Sequence, residues 1–479
     1  MKVLLLYPSW TSGYGIFAHF ARRQGTWPPL NLALMAAIAE QNGHDVVMID
    51  GEAERLTTFD LIKKTMSHKP GLIGLTGMSP YFHNTVNLAK GLKGANDKVP
   101  IAVGGSHMTI MRENAFIPEF DFGFIREAEE TWAKFLEHYQ NGKDLSDIKG
   151  LIFRKNGDLK NTGDPDTKRD LDSLPHPARH LLKMEIYKMG TLQGRKNFTS
   201  IQGMRGCPFE CIFCSSEELN TRKVSYRSVN KVLDEIKEVI DKFNIRHFYF
   251  IDEVLTLNRK RLEQLCDLII EEDLSITFEG STRANLVDEE LIIRMKKAGL
   301  IRLAFGLETV NAGMRDIMKK KVPLEAYTTS NRLLNKYNIE VLNSVMLGLP
   351  GETRETVENT LSWLSKSREV KQANFAIAVP YPGTEFHRIA KSGEMGVELI
   401  SENLSEYRRY GTAVTKVNEF SPQDLVELQN EGFVRIYSAP WRIVPMLRKH
   451  EAIGGLLMLL RLAKLLSKQL FHKKRPVSS

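Results

Sequence analysis

Short apolar runs alternate with amphipathic stretches along residues 1–145, and this alternation predicts a parallel α/β sheet. The apolar runs have the length and composition of strands, and the stretches between them repeat Leu and Ala at helical spacing. The predicted strands are KVLLLYP, DVVMID, LIGLT, IAVGG and FDFGFI, and the helices include LNLALMAAIAEQNG and TVNLAKGLKGAN. We therefore expect a doubly wound, Rossmann-like domain that binds its ligand beyond the carboxyl ends of its strands.

A second β/α alternation lies between residues 195 and 420, and polar residues follow its apolar runs. In a parallel barrel the strand ends form the active-site face, so these side chains should converge. Each alone could instead be a helix N-cap or a loop residue. The residues in question are Asp252 and Glu253, Ser281 and Arg283, Glu308, Gly348 and Glu352, and Tyr381 and Thr384.

These patterns predict four segments in the 479 residues: a Rossmann-like domain at 1–145, a linker at 146–194, a partial (β/α)6-type barrel at 195–420 and a helical region at 421–479. The linker is polar, bears Pro and Gly, and contains a hairpin-like segment. Near the end of the chain, Arg461, Lys464 and Lys468 share one face of an apolar helix. Such a basic amphipathic helix suits a membrane surface, or else docks on the barrel or a partner.

Composition narrows the class of protein. The 66 basic and 58 acidic residues give a net charge of only +8, and the strongest basic cluster lies at the tail, which disfavours nucleic acid as a partner. No stretch approaches the ~20 apolar residues of a membrane span, and the N-terminal run reaches Pro8 without a cleavage site. We expect a cytoplasmic protein. Any contact with the inner face of the membrane would be peripheral. Reduced thiols there favour a metal site or catalysis over disulfides.

Three of the four cysteines, Cys207, Cys211 and Cys214, lie in QGMRGCPFECIFCSS with C-x3-C-x2-C spacing. Three thiolates satisfy three irons of a [4Fe-4S] cluster and leave the fourth open to the amino and carboxylate groups of S-adenosylmethionine (SAM), whose cleavage yields a 5'-deoxyadenosyl radical. A zinc site or an electron-transfer cluster would want a fourth protein ligand. Cys266 lies in an amphipathic helical pattern, where cysteine packs as a small hydrophobe.

The run GCPFECIFCSS resembles the signature of the radical SAM superfamily, and the three cysteines match its cluster ligands. The resemblance implies that the Asp252 and Glu253 pair holds the methionine amino group, although the chain reads FIDE instead of the Gly-Gly-Glu form. It also implies that polar residues at the next strand ends contact the methionine carboxylate and the ribose. The full implied set of SAM contacts is Phe213, Asp252, Glu253, Ser281, Arg283 and Glu308.

The N-terminal runs WPPLNLALMAAIAEQNGHDVVMIDGE, GLTGMSP and AVGGSHMT resemble the cobalamin-binding domain fused to many radical SAM enzymes. The resemblance implies cobalamin contacts at Thr76, Gly77, Ser79, Gly104, Gly105, Ser106 and His107. The chain lacks a D-x-H-x-x-G motif, so cobalamin would bind without a histidine on cobalt, and we expect His107 to be a hydrogen-bonding loop residue. FIREAEET replaces the usual Gly-Glu-Gly-Glu run, which leaves open a degenerate domain that has lost cobalamin.

Together these resemblances imply methylation of an unactivated carbon, or of phosphorus, in a small-molecule or lipid substrate. One SAM supplies the methyl group through cobalt and a second supplies the radical, because an unactivated C–H carbon is no nucleophile. A flavodoxin or ferredoxin is the expected electron donor. Two alternatives stay open: a non-methylating radical reaction, such as the ring closure of the anaerobic magnesium-protoporphyrin monomethyl ester cyclase, and a non-catalytic cobalamin or cluster sensor.

Overall fold

The computed structural model describes residues 1–11, 26–165, 170–191, 194–439 and 441–442. Two compact units make up the chain. The first unit consists of Met1–Met189, Asn197–Pro208 and Ser215–Arg246, and the second of Gly190–Lys196, Phe209–Cys214 and His247–Ser479. The basic amphipathic helix predicted near Arg461 lies outside the described residues. Among the helices that are described, none has both the length and the apolar composition needed to cross a membrane.

A seven-stranded sheet organises the first unit, with strand order β2-β1-β3-β4-β5-β6-β7. Strands β1 to β5 are parallel, and they correspond to the five predicted strands. The strands are β1 Lys2–Tyr7, β2 Asp45–Asp50, β3 Leu72–Thr76, β4 Ile101–Gly104, β5 Phe122–Phe124, β6 Leu151–Lys155 and β7 Asp158–Asn161. Between and after them lie α1 Leu30–Gln41, α2 Thr58–Ser67, α3 Phe82–Ala95, α4 Ser106–Met111 and α5 Glu129–Gln140. The predicted doubly wound fold is confirmed.

The continuous apolar run of β1 is explained by helices on both faces of this sheet. Val3 and Leu5 belong to one buried core, which also contains the apolar side of α1. Leu4 and Leu6 belong to the other core, together with Leu88 of α3. Successive side chains of a strand point to opposite faces, so a strand covered on both sides is apolar at every position.

The hairpin-like segment predicted within the linker extends this sheet. Strand β6 pairs antiparallel with β5, and β7 pairs antiparallel with β6. Asn156 and Gly157 connect the two strands with φ of 54° and 92°. Both residues of a two-residue hairpin turn need positive φ, which Asn and Gly adopt most readily.

Short strands and one long helix lie between the linker and His247, and Gly190–Lys196 among them belong to the second unit. The elements from the linker onward are β8 Lys188–Thr191, β9 Gly194–Asn197, β10 Thr199–Ile201, β11 Met204–Arg205, α6 Ser216–Asn220, β12 Ser225–Tyr226 and α7 Val229–Phe243. Strands β8 and β9 pair with each other, and β11 pairs antiparallel with β12. Glu235 of α7 is buried and accepts hydrogen bonds from both Arg179, at 2.6 Å, and Arg227. This buried charge network ties the linker to α7.

Five parallel strands, β13 to β17, form the core of the second unit in sequence order, as the β/α alternation predicted. The strands are β13 His247–Phe250, β14 Thr277–Thr282, β15 Leu300–Glu308, β16 Glu340–Leu347 and β17 Gln372–Ile377. The helices are α8 Arg259–Glu271, α9 Glu289–Lys297, α10 Ala312–Ile317, α11 Leu324–Lys336, α12 Arg354–Lys366, α13 Glu385–Ser392 and α14 Pro422–Tyr437. A small antiparallel pair, β18 Val397–Leu399 and β19 Thr415–Val417, follows α13.

The two faces of the second sheet differ in burial. On one face Phe305 and Val341 are buried under the crossover helices. On the other face Gly306, Ser344 and Asn374 are only half-buried, and strands β16 and β17 alternate regularly between the two states. One face of the sheet is therefore more accessible, and it carries small and polar residues together with Leu342 and Met346.

Replacing Arg179 with Met should lower the free energy of unfolding by about 3 kcal/mol, because it removes one of the two cations paired with a buried carboxylate. The change is measured by urea denaturation. Arg222→Met is the matched control, since Arg222 forms an ion pair with Glu217 at 2.7 Å and both side chains are about half exposed. Such a surface pair contributes about 0–1 kcal/mol. Equal losses in the two variants would contradict the assigned role of the network.

Candidate functional site

The main chain of the cysteine loop is anchored within the second unit while its thiols stay accessible. The amide of Ile212 donates to Met318 O at 3.3 Å, and the carbonyl of Ile212 accepts from Phe386 N at 2.9 Å. Cys214 N donates to Cys211 O at 3.0 Å, which closes a turn between the two cysteines. Ile212 is buried, Cys211 is half-buried and Cys214 is exposed. Buried backbone contacts on both sides thus hold the loop.

The other two cysteines differ in exposure. Cys207 is half-buried and belongs to the first unit. Cys266 is buried in α8, and burial raises the pKa of its thiol to about 12. A thiol that remains protonated is a poor metal ligand, because the thiolate is the ligating form. Cys266 is therefore a packing residue, as its sequence context predicted.

The donor set fits an iron–sulfur cluster with one open iron. Within the described ranges, no three His, Cys, Asp or Glu side chains are gathered as they would be around a single metal ion. In a [4Fe-4S] cluster each cysteine ligates a different iron, so the thiolates lie farther apart than the ligands of one ion. Cys207, Cys211 and Cys214 in one short segment supply the three thiolates that such a cluster needs.

Arg283 lies directly against the cysteine loop. It follows β14, is buried, and places its guanidinium carbon 3.7 Å from the centroid of the Phe209 ring. One terminal nitrogen donates to the carbonyl of Lys320, whereas Nε is buried without a hydrogen-bond partner. A buried, unsatisfied donor is costly, so a ligand that accepts from Nε would stabilise this arrangement.

Glu308 ends β15 in a strained conformation. Its φ is 61°, in the left-handed region that non-glycine residues seldom adopt, and the pairing of β15 with β16 shifts register there. Oε1 accepts from Nζ of the buried Lys320 at 3.0 Å. A Cβ on Gly306 would lie 2.2 Å from that carboxylate oxygen and 2.6 Å from Nζ. The ion pair therefore occupies space that only a glycine at 306 leaves open.

The structure brings Phe213, Arg283 and Glu308 together around Lys320. Nζ of Lys320 lies 5.9 Å from the centroid of the Phe213 ring. The remaining predicted SAM contacts lie on the neighbouring strands. Asp252 is buried and Glu253 half-buried in the loop after β13, and Ser281 of β14 has its Oγ 3.1 Å from Tyr249 Oη. Sequence reasoning missed Lys320 and Phe209, although Phe209 stands within the cysteine signature.

Two residues that the sequence placed at strand ends have local structural roles instead. Thr384 is the N-cap of α13, with its hydroxyl accepting from His387 N at 3.1 Å. The Glu352 carboxylate is buried and accepts from the amides of Gly348 and Leu349. Thr384 is therefore a helix N-cap and Glu352 a loop residue, which are the alternative roles considered for residues at strand ends.

In the first unit, the residues predicted to contact cobalamin lie in two adjoining loops, after β3 and after β4. Gly77 N donates to Gly104 O at 3.3 Å, and His107 N donates to Gly77 O at 3.2 Å. Gly105 has φ of 99°, and a Cβ there would lie 2.7 Å from Thr76 Oγ1. Glycine at 105 thus permits the two loops to approach each other.

His107 behaves as a loop residue. Its Nδ1 lies 3.1 Å from Ser79 Oγ, and its ring centroid is 4.0 Å from that of Phe82. Burial lowers the pKa of His107 to about 4, so the ring is neutral near pH 7. The observed hydrogen bond agrees with the role that the sequence predicted for this residue.

The strand order places a ligand crevice between β1 and β3, where the winding of the sheet reverses. Trp10 after β1 packs against Tyr81 after β3, with ring centroids 5.3 Å apart. Glu52 after β2 accepts from Trp10 N and Thr11 N, both at 2.9 Å. Met78 is 46% exposed at the same edge. Backbone amides, hydroxyls and apolar side chains at one edge suit a large macrocycle with amide substituents. Sequence reasoning did not identify Trp10, Glu52 and Met78. Their position directly after strands is the signal that could have found them.

Two family models match the chain: the B12 binding domain over residues 18–136 and the Radical SAM superfamily over residues 201–364. An uncharacterized methyltransferase of Pyrococcus horikoshii is 30% identical over 468 residues, which cover 95% of this chain and 98% of the relative. The chain belongs to the cobalamin-dependent radical SAM methyltransferase family. Its cofactors are accordingly a [4Fe-4S] cluster, SAM and cobalamin.

Two further proteins are similar to the chain over most of its length. The anaerobic magnesium-protoporphyrin IX monomethyl ester cyclase of Rubrivivax gelatinosus is 25% identical over 446 residues, covering 91% of this chain and 77% of the cyclase. The solved structure of the radical SAM methyltransferase TsrM from Kitasatospora setae, with cobalamin and a [4Fe-4S] cluster bound, has a TM-score of 0.71 at 15% identity. It covers 92% of this chain and 91% of TsrM, and it shows the same fold.

Replacing Cys211 with Ala should lower bound iron to background after anaerobic reconstitution, because two thiolates cannot hold a cluster that needs three. Iron content and visible absorbance measure the effect. Cys266→Ala is the matched control, and it should retain full iron because that thiol is buried and protonated. Full cluster loading in Cys211→Ala would contradict the ligand assignment.

Glu352 should make stability fall as pH rises from about 4.5 to about 7. Burial raises its pKa to about 7 against the hydrogen bonds from the amides of Gly348 and Leu349, so the folded protein keeps a proton that the unfolded chain releases above its ordinary value of 4.5. Glu352→Gln should abolish this fall in the free energy of unfolding, which amounts to roughly 3 kcal/mol over that pH interval. Unfolding free energies at pH 5 and pH 8 test this.

The surface variant Glu358→Gln is the control for this pH dependence. Glu358 pairs with Arg435 at 2.7 Å, and that hydrogen bond lowers the pKa of its carboxyl, so it stays ionised across the whole interval. The control should therefore keep the slope of the wild-type protein between pH 5 and pH 8. The same slope in Glu352→Gln would show that Glu352 does not titrate in this range.

Proposed function

We propose that the protein methylates an unactivated carbon of a small polar molecule that binds against the open face of the β13–β17 sheet. The observation that carries the proposal is the cluster of Arg283, Glu308 and the cysteine loop at the carboxyl end of that face. In this proposal the charged groups lie where SAM and a cluster would meet, beside the more accessible face of the sheet. When bound, the cofactors supply a 5'-deoxyadenosyl radical from SAM and a methyl group carried by cobalamin.

Residues at the strand ends would orient SAM. The unsatisfied Nε of Arg283 is suited to donate to the methionine carboxylate, and the Glu308 carboxylate to accept from ribose hydroxyls. Asp252 and Glu253, on the neighbouring loop, are suited to accept from the methionine amino group. Phe213 would cover the cluster side of the bound SAM. Each role uses the ordinary hydrogen-bonding capacity of its side chain.

The loops after β3 and β4 would hold cobalamin from the first unit. The close approach of Gly77 and Gly105 brings backbone groups to the ligand edge, and Thr76, Ser79, Gly104 and Ser106 add hydroxyl and amide groups there. His107 already bonds to Ser79 and packs on Phe82, so it would act through the loop and leave cobalt without a protein histidine. These contacts are neutral, and they suit a ligand rich in amides.

The open face of the second sheet favours a polar substrate. Ser281, Ser344 and Asn374 line it, and the Oδ1 of Asn374 is buried without a hydrogen-bond partner. A substrate carrying an N–H or O–H group could donate to that oxygen, which a saturated lipid ring cannot do. Phosphorus or a lipid carbon as the methyl acceptor is the alternative that the assay below distinguishes.

In this proposal a protein of the flavodoxin or ferredoxin type donates the electron, and the reaction takes place in the cytoplasm. Peripheral membrane contact through the basic helix near Arg461 also stays a proposal, because that segment lies outside the described residues. A ring closure like that of the magnesium-protoporphyrin cyclase is the second candidate reaction. The similarity to the Rubrivivax gelatinosus cyclase over 91% of this chain supports ring closure as that second candidate.

The assay is anaerobic and uses the full chain with reconstituted cluster, cobalamin, reductant, SAM and a small-molecule extract. Mass spectrometry quantifies 5'-deoxyadenosine and S-adenosylhomocysteine. Comparable, cobalamin-dependent amounts of both are expected, with a methylated species in the extract that is either polar or lipid. Deoxyadenosine without S-adenosylhomocysteine would favour ring closure, and neither product with a loaded cluster would favour a sensor.

Arg283→Met should lower deoxyadenosine formation by about 10²-fold, since SAM would lose the group that orients its carboxylate. The matched control is Arg294→Met, because Arg294 pairs with Asp267 at 3.1 Å on the surface of the same unit. Equal rates in the Arg283 and Arg294 variants would remove Arg283 from the SAM site.

A further inference from the structure

Lys320 is a buried cation next to the cysteine loop. It lies between α10 and α11 and is only 8% exposed, although lysine is almost never buried unless paired. Burial opposes its charge, but the adjacent carboxylate of Glu308 outweighs that effect and raises the pKa of Lys320 to about 12. The side chain is therefore a permanent positive charge inside the second unit.

The main chain around Lys320 accepts hydrogen bonds from residues that would hold the cofactors. The carbonyl of Met318 accepts from Ile212 in the middle of the cysteine loop at 3.3 Å. The carbonyl of Lys320 accepts from Arg283, whose guanidinium lies against Phe209. These two contacts fix where the charge of Lys320 stands relative to the loop.

The side chain of Lys320 lies close to both Glu308 and the cysteine loop. Nζ lies 3.0 Å from Glu308 Oε1 and 5.9 Å from the centroid of the Phe213 ring, and Phe213 stands between Cys211 and Cys214 in the chain. Gly306 leaves the space for this position, because a Cβ there would lie 2.6 Å from Nζ. Glu308 belongs to β15, and the ammonium group of Lys320 lies near Phe213 of the cysteine loop.

From this geometry we infer that Lys320 is a positioning residue that raises the reduction potential of the cluster and holds Glu308 in place for SAM. Reduction adds one electron, and hence one negative charge, to a cluster already made anionic by its three thiolates. The electron comes from a low-potential donor of the flavodoxin or ferredoxin class, and no bond breaks in this step. A nearby fixed cation stabilises the more negative state.

The test is an anaerobic redox titration of the reconstituted full chain, followed by electron paramagnetic resonance of the reduced cluster. Lys320→Met should make the reduction equilibrium about tenfold less favourable, which is 59 mV for a one-electron couple. Lys320→Arg keeps the charge and should stay near the wild-type potential. An unchanged potential in Lys320→Met at full iron loading would overturn the inference.

Lys319→Met is the matched control, because Lys319 is the adjacent lysine. Its side chain is 41% exposed and forms an ion pair with Glu385 at 2.5 Å. Removing that charge should leave the cluster potential unchanged. An equal fall in Lys319→Met and Lys320→Met would mean that the potential responds to total charge, and this outcome also overturns the inference.

Lys320→Met leaves the Glu308 carboxylate buried and unpaired, which can prevent folding. Glu308→Gln and the double variant Glu308→Gln/Lys320→Met are therefore compared, since neither contains that lone carboxylate. The double variant should have a potential about tenfold less favourable, or 59 mV lower, than Glu308→Gln. Equal potentials would overturn the inference. The measurement uses neither substrate nor cobalamin, so its result is independent of the proposed methyl transfer.

Discussion

The parallel direction of the strands is the constraint on which both units depend. Because every strand of β1 to β5 and of β13 to β17 runs the same way, the residue that follows each strand lies at the same edge of its sheet. Residues far apart in sequence, such as Arg283 and Glu308, meet there around one lysine. Neither helix packing nor composition would bring these side chains together without that alignment.

The loops after β3 and β4 and the strand ends of the second sheet carry different kinds of side chain. The edge after β3 and β4 is built from glycines, hydroxyls and a neutral histidine, with Gly77 and Gly105 in close approach. The edge of the second sheet contains a buried guanidinium, a carboxylate and an ammonium group. Neutral contacts suit cobalamin, whose periphery is amide-rich, whereas SAM is zwitterionic and carries a sulfonium charge.

Burial explains why the charged groups at this edge are paired. The cost of placing Lys320 and Glu308 inside the unit is offset only if each finds the other and the remaining donors are satisfied. Gly306 makes room for the pair, and the strained φ of Glu308 aims its carboxylate at Nζ. The unsatisfied Nε of Arg283 is the exception in this network, which is expected where a ligand completes the hydrogen bonds.

The sequence by itself determined the strands, the cysteine spacing and the residues that follow the strands, because apolar periodicity and local motifs are properties of neighbouring residues. It predicted β1 to β5 and β13 to β17, and it identified Arg283, Glu308 and His107 as candidates. The tertiary structure alone decided that Thr384 caps a helix, that Glu352 bonds to loop amides, and that Lys320 lies against Glu308. The contacts of Thr384 and Glu352 are local in sequence, but whether a residue at a strand end is buried in such a contact is decided by the packing around it. The pair of Lys320 and Glu308 joins different elements, and burial sets the cost of its charges, which no local pattern encodes.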